Sequence, residues 1–397
     1  MSDFKKYFPI FKQNPNVVYL DSGASAQKPF CVLEKMNEVY SESYANIHRG
    51  LYGFSEKITD MYEKVRGKVA KFIGAKNSCE IVFTKGATEA INLVASSYAK
   101  ILKSGDEVIV SEVEHHSNLL VWKNLADLGV AKIKYLPVLD DGNFDCEWLK
   151  KNISEKTKLV CITGQSNVLG VKTNVKNVVE IARAVDAKVL VDGAQLVAHS
   201  SVDVVDLDVD FFVFSGHKIY GPNGVGVLYG KKELLDMMPP YQFGGDMVES
   251  VSFDKVVLKQ APYKFEAGTP PIVDVIGLGV AVDFLQDIGM NEIENHIQKL
   301  TEYLLKKLLE IDCVKLLSRV GMNGIISFEI AGVSSFDIGL MLGQNDVCVR
   351  VGKHCAEPLH MRFGFENSVR ASFGIYNDKD DIDKFILCLK KILVMLK

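Results

Sequence analysis

Apolar residues recur along this chain with two different periods. Ile58, Tyr62, Val65, Val69 and Phe72 stand three or four apart, which predicts a helix with one buried face. Short β-branched runs follow at Glu80–Thr84, Glu107–Ser111, Lys158–Thr163, Lys188–Asp192 and Phe211–Ser215. Helix-patterned stretches, such as Thr88–Leu102 and Val175–Val185, lie between several of them. Strands alternating with helices predict an α/β fold, with a largely parallel sheet covered by helices on both faces.

The pattern changes toward the end of the chain. Ile293, Ile297, Leu300, Leu304 and Leu308 mark a long amphipathic helix. Strand-like pieces follow at Gly324–Glu329 and Asp346–Val351, and Ile382, Phe385, Ile386, Leu389, Leu393 and Leu396 mark a closing helix. This predicts a smaller α+β domain over residues 287–397, after a large domain over 17–286. The segment 1–16 has few turns of its own and is expected to pack on the smaller domain. No internal repeat or low-complexity tract interrupts this plan.

Composition narrows the class. The 397 residues are 48% hydrophobic and 24% charged, an ordinary globular profile. A net charge of −4 leaves no electrostatic footprint for nucleic acid or an anionic membrane. Apolar runs such as Val275–Val282 fall well short of the roughly 20 residues of a membrane helix. The start, Met1-Ser2-Asp3-Phe4-Lys5-Lys6, is polar and lacks the apolar core of a signal peptide. The eight cysteines are scattered with no Cys-x-x-Cys pair, so the expectation is a cytoplasmic protein with free thiols.

Candidate chemistry gathers just after the strands, where ligands sit in open parallel sheets. Gly86-Ala87-Thr88 opens a helix; its exposed amides suit a phosphate, although the same tripeptide also serves as a plain helix cap. His115-His116 follows Val108–Ser111; an imidazole there either plays a structural part or stacks on a planar ring. Asp192 ends an apolar strand, where a carboxylate needs a partner: a cationic ring nitrogen, or the amides of a helix it caps. Ser215-Gly216-His217-Lys218 follows Phe211-Phe212-Val213-Phe214. A lysine at the end of such a strand loses water, its pKa falls, and the neutral amine can form a Schiff base. Ser215 and His217 flank it and can hold a phosphate. The glycine-rich Gly221–Gly226 stretch lacks dinucleotide spacing and leads into another strand, Val225–Tyr229.

Arg350-Val351-Gly352-Lys353-His354-Cys355-Ala356 sets a thiol between two basic residues, a field that favours thiolate. No zinc site is expected, because no second ligand pair has the spacing. Arg370 suits a bidentate clamp on a substrate carboxylate, or an interdomain salt bridge.

Taken together, these motifs resemble the cysteine desulfurases among the fold-type I PLP-dependent transferases, within the class V aminotransferase family. The resemblance runs from Tyr19-Leu20-Asp21 to the final helix. It rests on His48-Arg49-Gly50, Gly86-Ala87-Thr88-Glu89, Glu114-His115-His116, Ser166-Asn167-Val168-Leu169-Gly170, Asp192-Gly193-Ala194-Gln195, Ser215-Gly216-His217-Lys218, Glu266-Ala267-Gly268-Thr269-Pro270 and Arg350 to Ala356. The closest pattern is that of the SufS-like group II members, which include selenocysteine lyases. The resemblance implies a mostly parallel sheet of the seven-stranded type, sandwiched by helices, and pyridoxal 5'-phosphate carried on Lys218 as a Schiff base. It implies that Asp192 pairs with the ring nitrogen, Gln195 bonds the phenolic oxygen and His115 stacks on the ring. Thr88, Ser215 and His217 hold the phosphate, and Thr269 reaches the phosphate of the neighbouring subunit of a homodimer. Asn167 and Arg370 orient the substrate carboxylate. Cys355 accepts sulfur from L-cysteine with Arg350 close by, and His48 lies at the mouth of the site, across the dimer.

Two positions depart from the family pattern: Lys353 stands where many relatives have a second histidine, and Tyr52 replaces another. The short Arg350–Cys355 segment resembles the group that hands its persulfide to a dedicated acceptor protein, of the SufE or SufU type, for iron–sulfur cluster assembly. Two rival readings remain at this point. Another class V aminotransferase, or a kynureninase-like hydrolase, keeps the cofactor residues without needing Cys355. A non-catalytic sulfur scaffold keeps only the fold.

Overall fold

Seven strands form the central sheet, in the order Ile81–Thr84, Gly226–Gly230, Phe211–Ser215, Lys188–Asp192, Thr157–Thr163, Glu107–Ser111 and Lys132–Leu136. The structure, a computed structural model, describes residues 4–318 and 320–396. Only Gly226–Gly230 runs against the others. The central strands are buried along nearly their whole length, as their apolar runs require when helices cover both faces. The helices Gly53–Phe72, Ala87–Tyr98, Val175–Arg183 and Ile272–Ile288 supply that cover.

The strand Lys132–Leu136 has no counterpart in the sequence reading. Lys-Ile-Lys-Tyr-Leu contains a single β-branched residue, and the strand pairs on one side only, with Glu107–Ser111. An edge strand half open to solvent carries a weak apolar signal.

Parallel pairing brings the strand ends into line. Thr163 pairs with Asp192, Asp192 with Val213, and Ser215 with Gly226. The turns after these strands therefore share one edge of the sheet. At that edge the backbones approach so closely that a Cβ on Gly226 would stand 2.4 Å from Gly86 Cα.

A second, antiparallel sheet has the order Val314–Leu316, Ile325–Ile330, Ser368–Ser372, Arg350–Gly352. The single strand expected over Asp346–Val351 is in fact two. Val347–Cys348 pairs in parallel with Val18–Tyr19, and Arg350–Gly352 pairs with Ser368–Ser372. Sequence cannot see this division, because both partners are distant in the chain. The helix Ile272–Ile288 ends at Gly289, whose φ of +91° suits glycine, and Met290–Leu309 begins at once. Near the N-terminus, Phe8 is buried against Tyr376, Phe284 and Tyr220, and Lys5 pairs with Asp381 at 2.6 Å. Residues 1–3 of the expected 1–16 segment lie outside the described residues.

All eight cysteines are free thiols. Among the described residues, no helix is long and apolar enough to cross a membrane.

The Gly226–Gly86 contact makes a direct prediction. Gly226→Ala should force the Gly86 turn away from the sheet and destabilise the fold by roughly 1–3 kcal/mol. A lowered midpoint in urea unfolding checks it.

Candidate active site

The turns at the carboxyl edge of the large sheet enclose a cavity of about 190 Å³. Lys218 reaches it from the short helical turn Gly216–Lys218, which follows the fully buried strand Phe211–Ser215. Loss of water lowers the Lys218 pKa to about 8, against the partial support of the Asp192 charge. Asp192 lies on the adjacent strand and is itself buried, which raises its pKa. Its Oδ1 accepts the Ala194 amide at 2.9 Å, and no partner is found for Oδ2 among the described residues. Gln195, three residues on, donates from Nε2 to the Gly23 carbonyl at 2.8 Å, which draws the N-terminal loop into the wall.

His115 faces the same space. Burial and the nearby Lys218 lower its pKa to about 3, so the ring is neutral, and its Nδ1 accepts the Ser117 amide. Thr88 Oγ1 lies 2.8 Å from Ser117 Oγ, and Ser215 Oγ accepts the Ala87 amide at 2.9 Å. These hydroxyls stand at the N-terminus of the Ala87–Tyr98 helix, where the dipole favours an anion. His217 also lines the cavity and is held neutral, its pKa lowered to about 4 by burial and by Lys218.

The opposite wall comes from the smaller sheet. Its register sets Arg350 directly across from Arg370. Like charges facing each other cost stability, so this wall is built for an anion. Arg370 is 1% exposed; it donates to the Asn167 carbonyl at 3.0 Å and to Asp21 Oδ1 at 3.2 Å. Its Nε has no partner among the described residues. Asn167 Nδ2 donates to the His354 carbonyl at 2.7 Å, which ties this wall to the loop that carries Cys355.

Cys355 does not line the cavity. It stands beside a residue that does, with Sγ 4.0 Å from Arg350 Nη2. His354 and Cys355 both adopt left-handed backbone, at φ +51° and +57°. Such a turn of two non-glycine residues costs about 1–2 kcal/mol per residue. The His116 amide, which donates to the Cys355 carbonyl at 2.8 Å, helps hold it.

Of the cations expected around this thiol, Arg350 is in place, while Lys353 and His354 are not. Lys353 turns away to Glu357, at 2.8 Å. His354 is buried against Ser368, and burial together with Arg370 lowers its pKa to about 2. The neighbouring cation is Arg350, five residues away in sequence and brought back by the loop.

His48 and Thr269 lie outside this cavity. His48 bridges Glu63 at 3.0 Å and Asp246 at 3.1 Å, and the Glu63 hydrogen bond raises its pKa. Thr269 lines a separate hollow with Asn46, Arg49 and Asp246. One chain does not bring either of them to Lys218. Asp21, Gly23, Thr163 and Gln165 shape the site without having been singled out from sequence for a role in it. Of these, only Asp21 carried a signal, as a carboxylate after the short apolar strand Val18–Tyr19.

The depressed lysine pKa predicts a distinct reactivity. In protein free of carbonyl ligands, Lys218 should acylate half-maximally near pH 8, because only the neutral amine reacts, while exposed lysines keep gaining reactivity toward their ordinary value of 10.5. Competitive labelling with acetic anhydride, read by mass spectrometry, checks this.

The model of the family described as aminotransferase class-V matches residues 18–385. The probable cysteine desulfurase of Halalkalibacterium halodurans is 44% identical over 393 residues, spanning 98% of this chain and 97% of the relative. The cysteine desulfurase of Dickeya dadantii is 43% identical over 390 residues, spanning 97% and 95%. Among solved structures, the cysteine desulfurase CsdA of Escherichia coli, in an S-sulfonic acid form, matches with a TM-score of 0.94 and 37% identity over 99% of this chain and 98% of that one. The apo cysteine desulfurase of Thermococcus onnurineus NA1 matches with a TM-score of 0.95 and 36% identity over the same shares. The fold is that of the fold-type I transferases, whose cofactor is pyridoxal 5'-phosphate. The side chains present fit that group: an amine with depressed pKa for its aldehyde, a buried carboxylate with one oxygen unspent for its ring nitrogen, and hydroxyls at a helix N-terminus for its phosphate. On sequence, fold and site together, the chain belongs to the class-V aminotransferase family.

Proposed function

We propose that this chain is a cysteine desulfurase that converts L-cysteine to L-alanine and keeps the sulfur as a persulfide on Cys355. The supporting observation is one arrangement: the Cys355 sulfur beside Arg350 at the rim of a cavity whose floor holds Lys218 and Asp192. The step balances without an outside oxidant. The carbon–sulfur bond of cysteine breaks, a sulfur–sulfur bond forms at Cys355, and the thiol proton passes to the carbon that leaves as alanine.

Pyridoxal 5'-phosphate, when bound, supplies the electron sink that weakens the carbon–sulfur bond. The protein's own groups do the rest. Lys218 anchors the cofactor and moves the α-proton of the substrate through Nζ, an amine whose pKa of about 8 suits a base near neutral pH. Asp192, through its unspent oxygen, keeps a proton on the ring nitrogen, and Gln195 bonds the phenolic oxygen. His115, neutral at working pH, stacks on the ring. Thr88, Ser215 and His217 grip the phosphate with the Ala87–Tyr98 helix behind them. Arg370 and Asn167 take the substrate carboxylate, and Arg350 stands beside the Cys355 sulfur. The partner copy in a homodimer brings Thr269 to the phosphate and His48 to the mouth. The persulfide passes in the cytoplasm to a dedicated acceptor protein and on to iron–sulfur cluster assembly. Selenocysteine serves as a second substrate, since the carbon–selenium bond is the weaker one.

An assay of alanine and persulfide formed from L-cysteine tests this reading. Cys355→Ser should keep the visible absorbance of the lysine-bound cofactor and still bind cysteine, while sulfide release falls at least about a hundredfold, the scale of losing a nucleophile. Lys218→Ala should lose both absorbance and turnover. A keto acid product in place of alanine, or full desulfuration by Cys355→Ser, would sink the proposal. Arg370→Lys removes the planar fork, a loss of about 1.5–3 kcal/mol for a charged hydrogen bond. That change should raise KM for cysteine roughly tenfold or more while leaving the absorbance in place, as steady-state kinetics can show.

A further inference from the structure

Three buried polar side chains gather at the thiol loop and have no part in the reaction above: His354, His360 and Ser368. His354 Nε2 lies 2.9 Å from Ser368 Oγ, and His360 Nε2 lies 3.0 Å from the same oxygen. His360 Nδ1 lies 3.1 Å from the Ala356 carbonyl. One hydroxyl thus stands between two imidazoles, with a carbonyl at one end of the chain.

Counting protons gives this chain a single direction. A carbonyl oxygen only accepts, so His360 Nδ1 carries a proton. Burial lowers the His360 pKa, so the ring is neutral and its Nε2 is bare. The one Ser368 hydroxyl proton therefore goes to His360 Nε2. Ser368 Oγ then accepts, and its donor is His354 Nε2–H. Burial and Arg370 lower the His354 pKa to about 2, so this ring is neutral too and its Nδ1 is bare. That Nδ1 has no partner among the described residues. The two neutral rings are opposite tautomers, each set by the bond that its other nitrogen makes.

The chain closes around the nucleophile. His354 precedes Cys355 and Ala356 follows it, and both are tied to Ser368, the first through its ring and the second through His360. His354 and Cys355 hold left-handed backbone, which strains residues other than glycine. Asn167 Nδ2 and the His116 amide hold the carbonyls of these two residues. The Ser368 junction adds the His354 side chain and the Ala356 carbonyl. Ser368 pairs with Gly352, in the same register that sets Arg370 against Arg350. The sulfur is therefore anchored to the strand pair on which both arginines stand.

We infer that Ser368, His354 and His360 are positioning residues, which hold the strained His354–Cys355 turn so that the sulfur stays beside Arg350 at the cavity rim. Their effect on sulfur transfer rests on the reaction proposed above; the hydrogen-bond chain and the place of the sulfur do not. Without the hydroxyl, the His354 N–H and the bare His360 nitrogen each lose a buried partner. The turn then opens to reach water.

Three measurements on the holoenzyme test this. In nitrogen NMR of histidine-labelled protein near neutral pH, His354 should carry its proton on Nε2 and His360 on Nδ1. Comparison with His354→Gln and His360→Gln assigns the two rings. In Ser368→Ala, N-ethylmaleimide should label Cys355 roughly three- to tenfold faster by peptide mass spectrometry, the scale of one lost hydrogen bond. Persulfide at Cys355, formed from L-cysteine in a single turnover, should appear about tenfold more slowly in that variant. Its affinity for cysteine, read from the cofactor absorbance, should stay within about twofold. If Ser368→Ala does not fold by circular dichroism, His360→Leu should show the same split between rate and affinity. Like tautomers in the two rings, a labelling rate unmoved in the variant, or a slowing that follows lost cysteine affinity would overturn the inference. Wild-type enzyme that forms no persulfide at Cys355 counts against the proposed function instead, and the tautomers and labelling rate still decide this one.

Discussion

A lysine amine kept short of water, within the field of a buried carboxylate, is the condition on which this structure turns. Lys218 can give up its proton near neutral pH only because the fully buried strand Phe211–Ser215 ends where solvent is scarce. Asp192 is placed by the same logic one strand over, and its charge partly offsets the loss of hydration. Each group alone is costly to bury. Parallel pairing makes the placement affordable, because it gathers several strand ends, and the open amides that follow them, along one edge.

The second constraint lies in the smaller sheet. Its register sets two guanidinium groups face to face, Arg350 against Arg370, at the wall of the cavity. Asp21 and the Asn167 carbonyl hydrogen-bond to Arg370, whose Nε is without a partner among the described residues. A wall with surplus positive charge and an unspent donor suits an anionic substrate group. The same register positions Cys355, since the loop after Gly352 must double back, through two left-handed residues, to bring its sulfur beside Arg350. In the proposed reaction, carboxylate binding and sulfur chemistry are thus tied to one strand pair.

The local expectations fared according to how local their physics is. Strands such as Lys188–Asp192 and Phe211–Ser215, buried on both faces, were readable to the residue from their apolar runs. The edge strand Lys132–Leu136 was not, because half its side chains face water. The Asp346–Val351 run looked like one strand because its composition is uniform, yet two distant partners divide it. The thiol's surroundings misled for a similar reason. Lys353 and His354 are next to Cys355 in the chain, but Glu357 claims the first and burial neutralises the second.

Residue order along the chain was enough to establish the α/β plan, the amine at a strand end, the carboxylate before Gly193, the thiol loop and the family these motifs resemble. All of these follow from periodicity or from short motifs, whose physics acts within a few residues. Three-dimensional packing settled the rest: Arg350 opposite Arg370, Asp21 as the partner of Arg370, Gly23 under Gln195, and Lys353 and His354 lost to the thiol as cations. Those contacts join segments up to hundreds of residues apart. Which of many candidate partners meets a given charge is decided by strand register and by the competition for buried space, and neither leaves a mark on the local pattern.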